Sequence, residues 1–282
     1  VAAFEDPAVL ELMINDDGTV YVETGEGLHR LDAAPTAADV AAFVKGVAGA
    51  GESFGPERPY ADLTASDGSR VHVIAPPVVK ALAVTIRKRP PRRPTLDELT
   101  RNGTLSDGCA DFLDYCVQQK LNVLMAGGTS SGKTTLLAAL AAQIEPTERI
   151  IVLEDTPELA LEQPHVLYLR TRQADGPGRA AVTLRELVIN TLRMRPDRVI
   201  IGETRGPEAA DMLSAMNVGQ DGMLTTLHAN SAREALQRLE TLVLQAGVDM
   251  PLKAVRSNIA TAIDFIVFLS RLADCSRRIV QV

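Results

Sequence analysis

From Gly127 the chain reads Gly127-Gly128-Thr129-Ser130-Ser131-Gly132-Lys133-Thr134-Thr135, so four residues separate the first glycine from a Gly-Lys-Thr triplet. This is the phosphate-binding loop pattern. Glycines let the backbone wrap a polyphosphate, and the N–H groups from Gly127 to Thr135 can face the anion where the loop opens a helix. Lys133 can reach the outer phosphates, and Thr134 offers a hydroxyl to Mg²⁺. The flanks suit the role: Val123 to Ala126 is an apolar run that predicts a buried strand, and L-L-A-A-L-A-A after Thr135 predicts a helix. That context separates the pattern from a glycine-rich loop matching by accident, and nucleotide binding follows from it.

Three further polar groups fall just past apolar, strand-like runs. Ligands of parallel α/β sheets bind outside the carboxyl ends of the strands, so such groups can share a site. The first is Glu154-Asp155-Thr156-Pro157-Glu158. A carboxylate there can orient an attacking water or hold the Mg²⁺ shell; the plainer alternative is that Asp155 caps a turn. The second is Glu203 after Val199-Ile200-Ile201-Gly202, where a carboxylate can reach the metal directly or through its water; the alternative is an edge acid paired with Arg205. The third is His228 in Thr225-Thr226-Leu227-His228. A neutral imidazole there can donate to the γ-phosphate or sense its loss, against a purely structural role. Arg193, Arg195, Arg198 and Arg205 cluster in sequence around the second acidic strand, and one or two of them are expected to stabilise phosphoryl charge.

The elements that position these residues read in two halves. Residues 1–87 predict a small α+β domain. It holds a short helix over Val9 to Ile14, a hairpin of Val20–Val22 with Leu28–Leu31 around Gly25–Gly27, a helix over Thr36–Ala48, strands at Arg58–Leu63 and Arg70–Ile74, and another at Ala81–Ile86. The run Arg87-Lys88-Arg89-Pro90-Pro91-Arg92-Arg93-Pro94 carries three prolines, so residues 88–94 form a linker. Its basic residues are either a solvated hinge or partners of phosphate or a neighbouring subunit. Residues 95–282 alternate strand and helix, with capping-box patterns at Thr95-Leu96-Asp97-Glu98 and Thr183-Leu184-Arg185-Glu186. That alternation predicts a mostly parallel sheet between helices.

Bulk properties narrow the function. Of 282 residues 46% are hydrophobic and 23% charged, ordinary for a globular protein, and two domains fit the length. A net charge of −7 and the lack of tryptophan argue against a nucleic-acid partner. Cys109, Cys116 and Cys275 lack zinc spacing and fit a reducing, cytoplasmic compartment. No apolar run is long enough to span a bilayer. A start at Val1 and an end inside R-R-I-V-Q-V suggest that both termini are trimmed.

Taken together in order and spacing, the four stretches resemble the Walker A, acidic box, Glu-ended Walker B and His box of the type II/IV secretion ATPases, VirB11-like enzymes included. L-R-M-R-P-D-R-V-I-I-G-E-T-R-G-P-E-A and L-T-T-L-H-A-N-S-A-R-E-A-L-Q-R-L-E resemble the branch that powers Tad/Flp pili, as do D-G-S-R-V-H-V-I-A-P-P and Thr85-Ile86-Arg87. The resemblance implies a RecA-like P-loop ATPase core, ATP with Mg²⁺, and a homo-hexameric ring at the cytoplasmic face of the inner membrane that drives platform proteins. It implies Glu158 and Glu203 as the candidate bases, Lys133 and His228 as catalytic partners, and Arg70 and Arg87 as arginines that reach the phosphates. One departure stands out: Gln220 occupies a position where this branch carries histidine in T-G-H-D-G-S. Two rival readings remain, a nucleic-acid-translocating motor and a nucleotide-binding regulator without turnover.

Overall fold

The computed structural model describes residues 6, 8–32, 35–48, 57–88, 93–172, 174 and 180–282. It separates into two compact units, Val1–Arg92 and Arg93–Val282. Arg89 to Arg92, the middle of the basic proline-rich run, lie outside the described residues.

In the first unit six strands form one antiparallel sheet: β1 (Glu11–Ile14), β2 (Val20–Thr24), β3 (Gly27–Leu31), β4 (Tyr60–Thr64), β5 (Arg70–Ile74) and β6 (Ala83–Arg87). Their order is β3-β2-β1-β6-β5-β4. Helix α1 (Ala37–Ala48) covers one face through Val40 and Val44, against Leu12, Val22, Leu63, Val71, Val73 and Ile86. Within the stretch Val9 to Ile14, expected to be helical, Glu11–Ile14 is a strand: Leu12 and Ile14 point into the core while Glu11 and Met13 point away, and β1 pairs with both β2 and β6. A short dense apolar run does not distinguish helix from strand by itself, and two waiting strand edges decide it here.

The second unit is a three-layer α/β structure. Its strands are β7 (Val123–Gly127), β8 (Ile150–Glu154), β9 (Val166–Arg170), β10 (Arg198–Ile201), β11 (Leu224–His228), β12 (Phe265–Arg271) and β13 (Arg277–Gln281). The order is β13-β12-β7-β11-β10-β8-β9, parallel throughout except for β13, which runs antiparallel on β12. Helices α2 (Leu96–Arg101), α3 (Asp107–Gln118) and α4 (Lys133–Ala141) share one core with Val123, Met125, Ile150, Val152 and Ile200. Helices α5 (Leu184–Thr191), α6 (Glu208–Asn217), α7 (Ala232–Gln245) and α8 (Leu252–Ala262) share the other with Leu124, Ala126, Ile151, Leu153, Val199 and Ile201. Successive strand residues alternate between the two cores, which explains why these strands read as continuous apolar runs. Both expected capping boxes are formed, Thr95 with Glu98 and Thr183 with Glu186.

Strand order positions the chemistry. β11 lies between β7 and β10, so the residue at its carboxyl end stands between the glycine loop and the acid that follows β10. In register His228 pairs with Gly127.

Candidate functional site

The loop after β7 has the geometry of an anion cradle. Gly127 is buried, and a Cβ there would collide with the Leu269 carbonyl oxygen and come within 2.6 Å of Ser131 Oγ. Ser130 (φ +56°) and Gly132 (φ +96°) are both left-handed. Alternating handedness turns successive amides toward one side and forms a nest for an anion. Gly132 caps α4 without a side-chain hydrogen bond, which leaves the first-turn amides of the helix to a ligand. Lys133 is only 7% exposed; its Nζ donates to the carbonyls of Gly127 (2.9 Å) and Gly128 (2.7 Å). Its charge is thereby folded over the loop and poised to turn to phosphate. Gly128 and Thr129 lie exposed at the mouth, Ser131 is buried, and Thr134 and Thr135 lie half-buried in the first turn of α4.

Glu203 and His228 converge beside the loop. Oε1 of Glu203 lies 2.9 Å from Nε2 of His228, a contact in which the neutral imidazole donates. Burial lowers the pKa of His228 first, and the charge of Lys133 pushes it the same way; Glu203 opposes them and Arg205 adds to the lowering. The ring is thus held toward its neutral form. The backbone beneath is tied by hydroxyls. Thr226 Oγ1 donates to the Gly202 carbonyl at 2.7 Å, and the hydroxyls of Thr204 and Thr225 meet at 2.8 Å. Glu208 accepts from the backbone N–H groups of Arg205 and Gly206, each at 2.7 Å, fixing the turn that follows Glu203.

Glu154 behaves differently from its acidic neighbours. It is 3% exposed and its Oε1 accepts from the backbone N–H groups of Glu158 and Leu159, each at 2.8 Å. Burial pushes its carboxyl above the ordinary range, against those two bonds. Glu154 therefore shapes the segment that carries Glu158, and Glu158 is the partly open acid of the pair. Asp155 makes an ion pair with Arg205. Arg93, the last basic residue of the linker run, donates to the Glu158 carbonyl at 3.3 Å, with the carboxylate 4.0 Å away. An acid-box glutamate thus already has a cation beside it.

The arginine cluster seen in sequence disperses in space. Only Arg205 sits at the carboxyl edge of the sheet. Arg193 and Arg195 lie in the turn feeding the amino end of β10, the edge opposite Lys133, so this chain does not bring Arg193 to its own loop. Arg198 is 1% exposed and structural: Nε donates to Glu148 at 2.8 Å, and one terminal nitrogen donates to the Val117 carbonyl at 2.6 Å. Gln220 likewise precedes β11 at the amino edge. Sequence spacing groups residues that lie on either side of a strand, but a strand carries its two flanks to opposite edges. In the first unit Arg70 and Arg87 stand directly opposite each other on β5 and β6.

Two residues at the loop carried no sequence signal. Arg277 Nε donates to the Ser130 carbonyl at 2.9 Å, and Leu269 of β12 backs Gly127. The donor set suits Mg²⁺ brought by a nucleotide: Thr134 and Glu203 offer oxygens, and among the described residues no cluster of three His, Cys, Asp or Glu forms an all-protein cage. The cradle suits a polyphosphate, since its amides, Lys133 and the space left by Gly127 all serve an anion.

A family model described as type II/IV secretion system protein matches residues 62–282. The chain belongs to that family. It is 34% identical over 276 residues to the conjugal transfer protein TrbB of Rhizobium radiobacter, covering 95% of this chain and 81% of the relative. It is 31% identical over 312 residues to the type IV secretion system protein VirB11 of Bartonella quintana, covering 96% and 87%. The crystal structure of the VirB11 ATPase of Brucella suis, in complex with sulphate, superposes with a TM-score of 0.56 at 26% identity over 99% of this chain and 93% of that one. The second unit is accordingly a RecA-like P-loop core, and the expectation of a type II/IV secretion ATPase holds at the level of the family.

Proposed function

We propose that this chain is an ATP-hydrolysing motor that works as a homo-hexameric ring at the cytoplasmic face of the inner membrane. There it drives platform proteins in the assembly or retraction of Tad/Flp-type pili, or in secretion. The observation that carries the reading is the meeting of Glu203 and His228 beside a cradle already holding Lys133. Lys133 would exchange its two carbonyl partners for phosphate oxygens, and the loop amides would hold the phosphates. Thr134 and Glu203 would hold Mg²⁺, which neutralises developing charge when bound. Glu158 or Glu203 would orient the attacking water. His228 would turn its Nε2–H from Glu203 to the γ-phosphate when ATP binds and return it to Glu203 when that group departs. Arg70 and Arg87 are proposed as an anion-binding pair, and Arg205 as a further cation. The stretches around Glu203 and His228 support the Tad/Flp branch.

The names of the relatives support a second reading of the cargo, since conjugal transfer and type IV secretion proteins both match nearly the whole chain. Among the described residues no helix is long and apolar enough to cross a membrane, in keeping with a peripheral motor. The test is ATP hydrolysis by the purified chain, with mass in solution measured with and without a non-hydrolysable ATP analogue. A six-subunit species that turns over ATP, and a Lys133→Ala variant that does not, are expected. Tight ATP binding with no single-turnover hydrolysis would instead make the chain a regulator, and DNA-stimulated, salt-sensitive turnover would make it a nucleic-acid motor.

A further inference from the structure

We infer that Arg277 is a positioning residue for the phosphate-binding loop, acting from outside it through the Ser130 carbonyl. The inference rests on the reading of the loop as an ATP site. A trans peptide points its C=O and the following N–H in opposite directions. Arg277 Nε holds the Ser130 carbonyl at 2.9 Å. That contact fixes the opposite direction for the N–H of Ser131, which lies between the left-handed Ser130 and Gly132. The amide is thereby aimed into the nest.

The aliphatic stem of Arg277 adds a second contact. Its Cδ would lie 3.3 Å from a Cβ on Gly132, so the stem rests on the glycine itself. The strand that carries Arg277 is placed by the same edge of the sheet. β13 pairs antiparallel with β12, where Arg277 faces Arg271, and Leu269 of β12 pairs with Gly127 and backs it. The β12–β13 hairpin therefore braces the loop at three points: Gly127, Ser130 and Gly132. A lysine in the loop cannot provide this. Lys133 reaches the carbonyls of Gly127 and Gly128 from its own helix, and must leave them to meet phosphate. Arg277 can stay where it is while phosphate binds, so the loop keeps its shape at the moment Lys133 moves.

The experiment is calorimetric titration of Mg-ATP and of inorganic tripolyphosphate into the full chain and three variants. Arg277→Met keeps the stem on Gly132 and removes the donor. Arg277→Lys keeps a donor. Arg278→Ala perturbs the same exposed strand without touching the loop. Arg277→Met should weaken both ligands by about tenfold and raise KM more than it lowers kcat. Arg277→Lys should recover most of the loss, and Arg278→Ala should bind like wild type. Tripolyphosphate must suffer as ATP does, because the effect is on phosphate amides and not on the base. Arg277→Met binding within about twofold of wild type would overturn the inference. So would Arg278→Ala binding as weakly as Arg277→Met, or an Arg277→Met chain that does not fold, since either makes Arg277 a strand residue only. A wild-type chain that binds neither ligand overturns the ATP reading itself and this inference with it; retained binding lost in Lys133→Ala but not in Arg277→Met overturns this inference alone.

Discussion

Arg70 and Arg87 stand directly opposite each other on adjacent antiparallel strands, 17 positions apart in the chain. Like charges across such a pair oppose each other, which a fold tolerates where an anion is to be bound. Glu11 is opposite Arg87 on its other side, but the carboxylate stays 3.7 Å from Arg87 Nε, too long for a hydrogen bond. Arg70→Gln should leave the stability of the first unit within about 1 kcal/mol of wild type, because it removes both that repulsion and the contacts Arg70 makes. The same change should lower ATP turnover at least about tenfold if the pair binds phosphate. Thermal melting and a coupled ATPase assay read the two effects. Lower stability with unchanged turnover would make the pair structural.

Glu203 and His228 should act as one unit. Their 2.9 Å contact means that removing either leaves the other without its partner. Glu203→Gln and His228→Ala should each cut turnover by about 10²–10³ while leaving ATP affinity within a few-fold. The double variant should be little worse than the worse single one. Additive losses in that cycle would assign the two residues to independent steps.

Much of this was legible in the chain itself, for a physical reason. Gly127 to Thr134, Glu203 and His228 each end an apolar run, and in a parallel sheet every such run delivers its next residue to the same edge. What the sequence hid depends on pairing between distant segments. Glu11 to Ile14 became a strand because β2 and β6 offer edges to it. Arg198 was indistinguishable from Arg205 until its partner Glu148, 50 residues away, was in place. Arg277 lies in an edge strand 147 residues from Ser130, and no local pattern marks it.

Arg198 should be indispensable to the fold and indifferent to the ligand. Its guanidinium is buried against Glu148 and the Val117 carbonyl, and Lys120 reaches the same carboxylate at 2.8 Å. Arg198 and Lys120 hold Glu148 below the ordinary carboxylate range, although burial alone would raise it. Arg198→Met would leave Glu148 to Lys120 alone and remove the guanidinium from the Val117 carbonyl, at a cost of about 1–3 kcal/mol. Urea unfolding should show the loss. ATP affinity of the folded fraction should not change, because the network sits at the edge opposite the loop. A weakened affinity would restore Arg198 to the site.

Glu154→Gln tests whether protonation of a buried acid shapes the segment of Glu158. Burial raises its pKa in the folded protein, so between the unfolded and folded values the folded chain holds more protons. Stability from this group is then fully present below the unfolded value, about 4.3, and is lost as pH rises through the folded one. Glutamine cannot ionise, and its carbonyl oxygen can accept the same two N–H groups from Glu158 and Leu159. Among the described residues the other oxygen of Glu154 has no hydrogen-bond partner, so the amide nitrogen that replaces it gains none and costs about 1–3 kcal/mol. Glu154→Gln should therefore be less stable than wild type near pH 4.5, and the gap should narrow or reverse by pH 8. Melting temperatures of both proteins across that range give the answer. A gap that does not vary with pH would mean that Glu154 titrates alike in the folded and unfolded chain, and that the segment carrying Glu158 is held by its hydrogen bonds without any protonation of the acid.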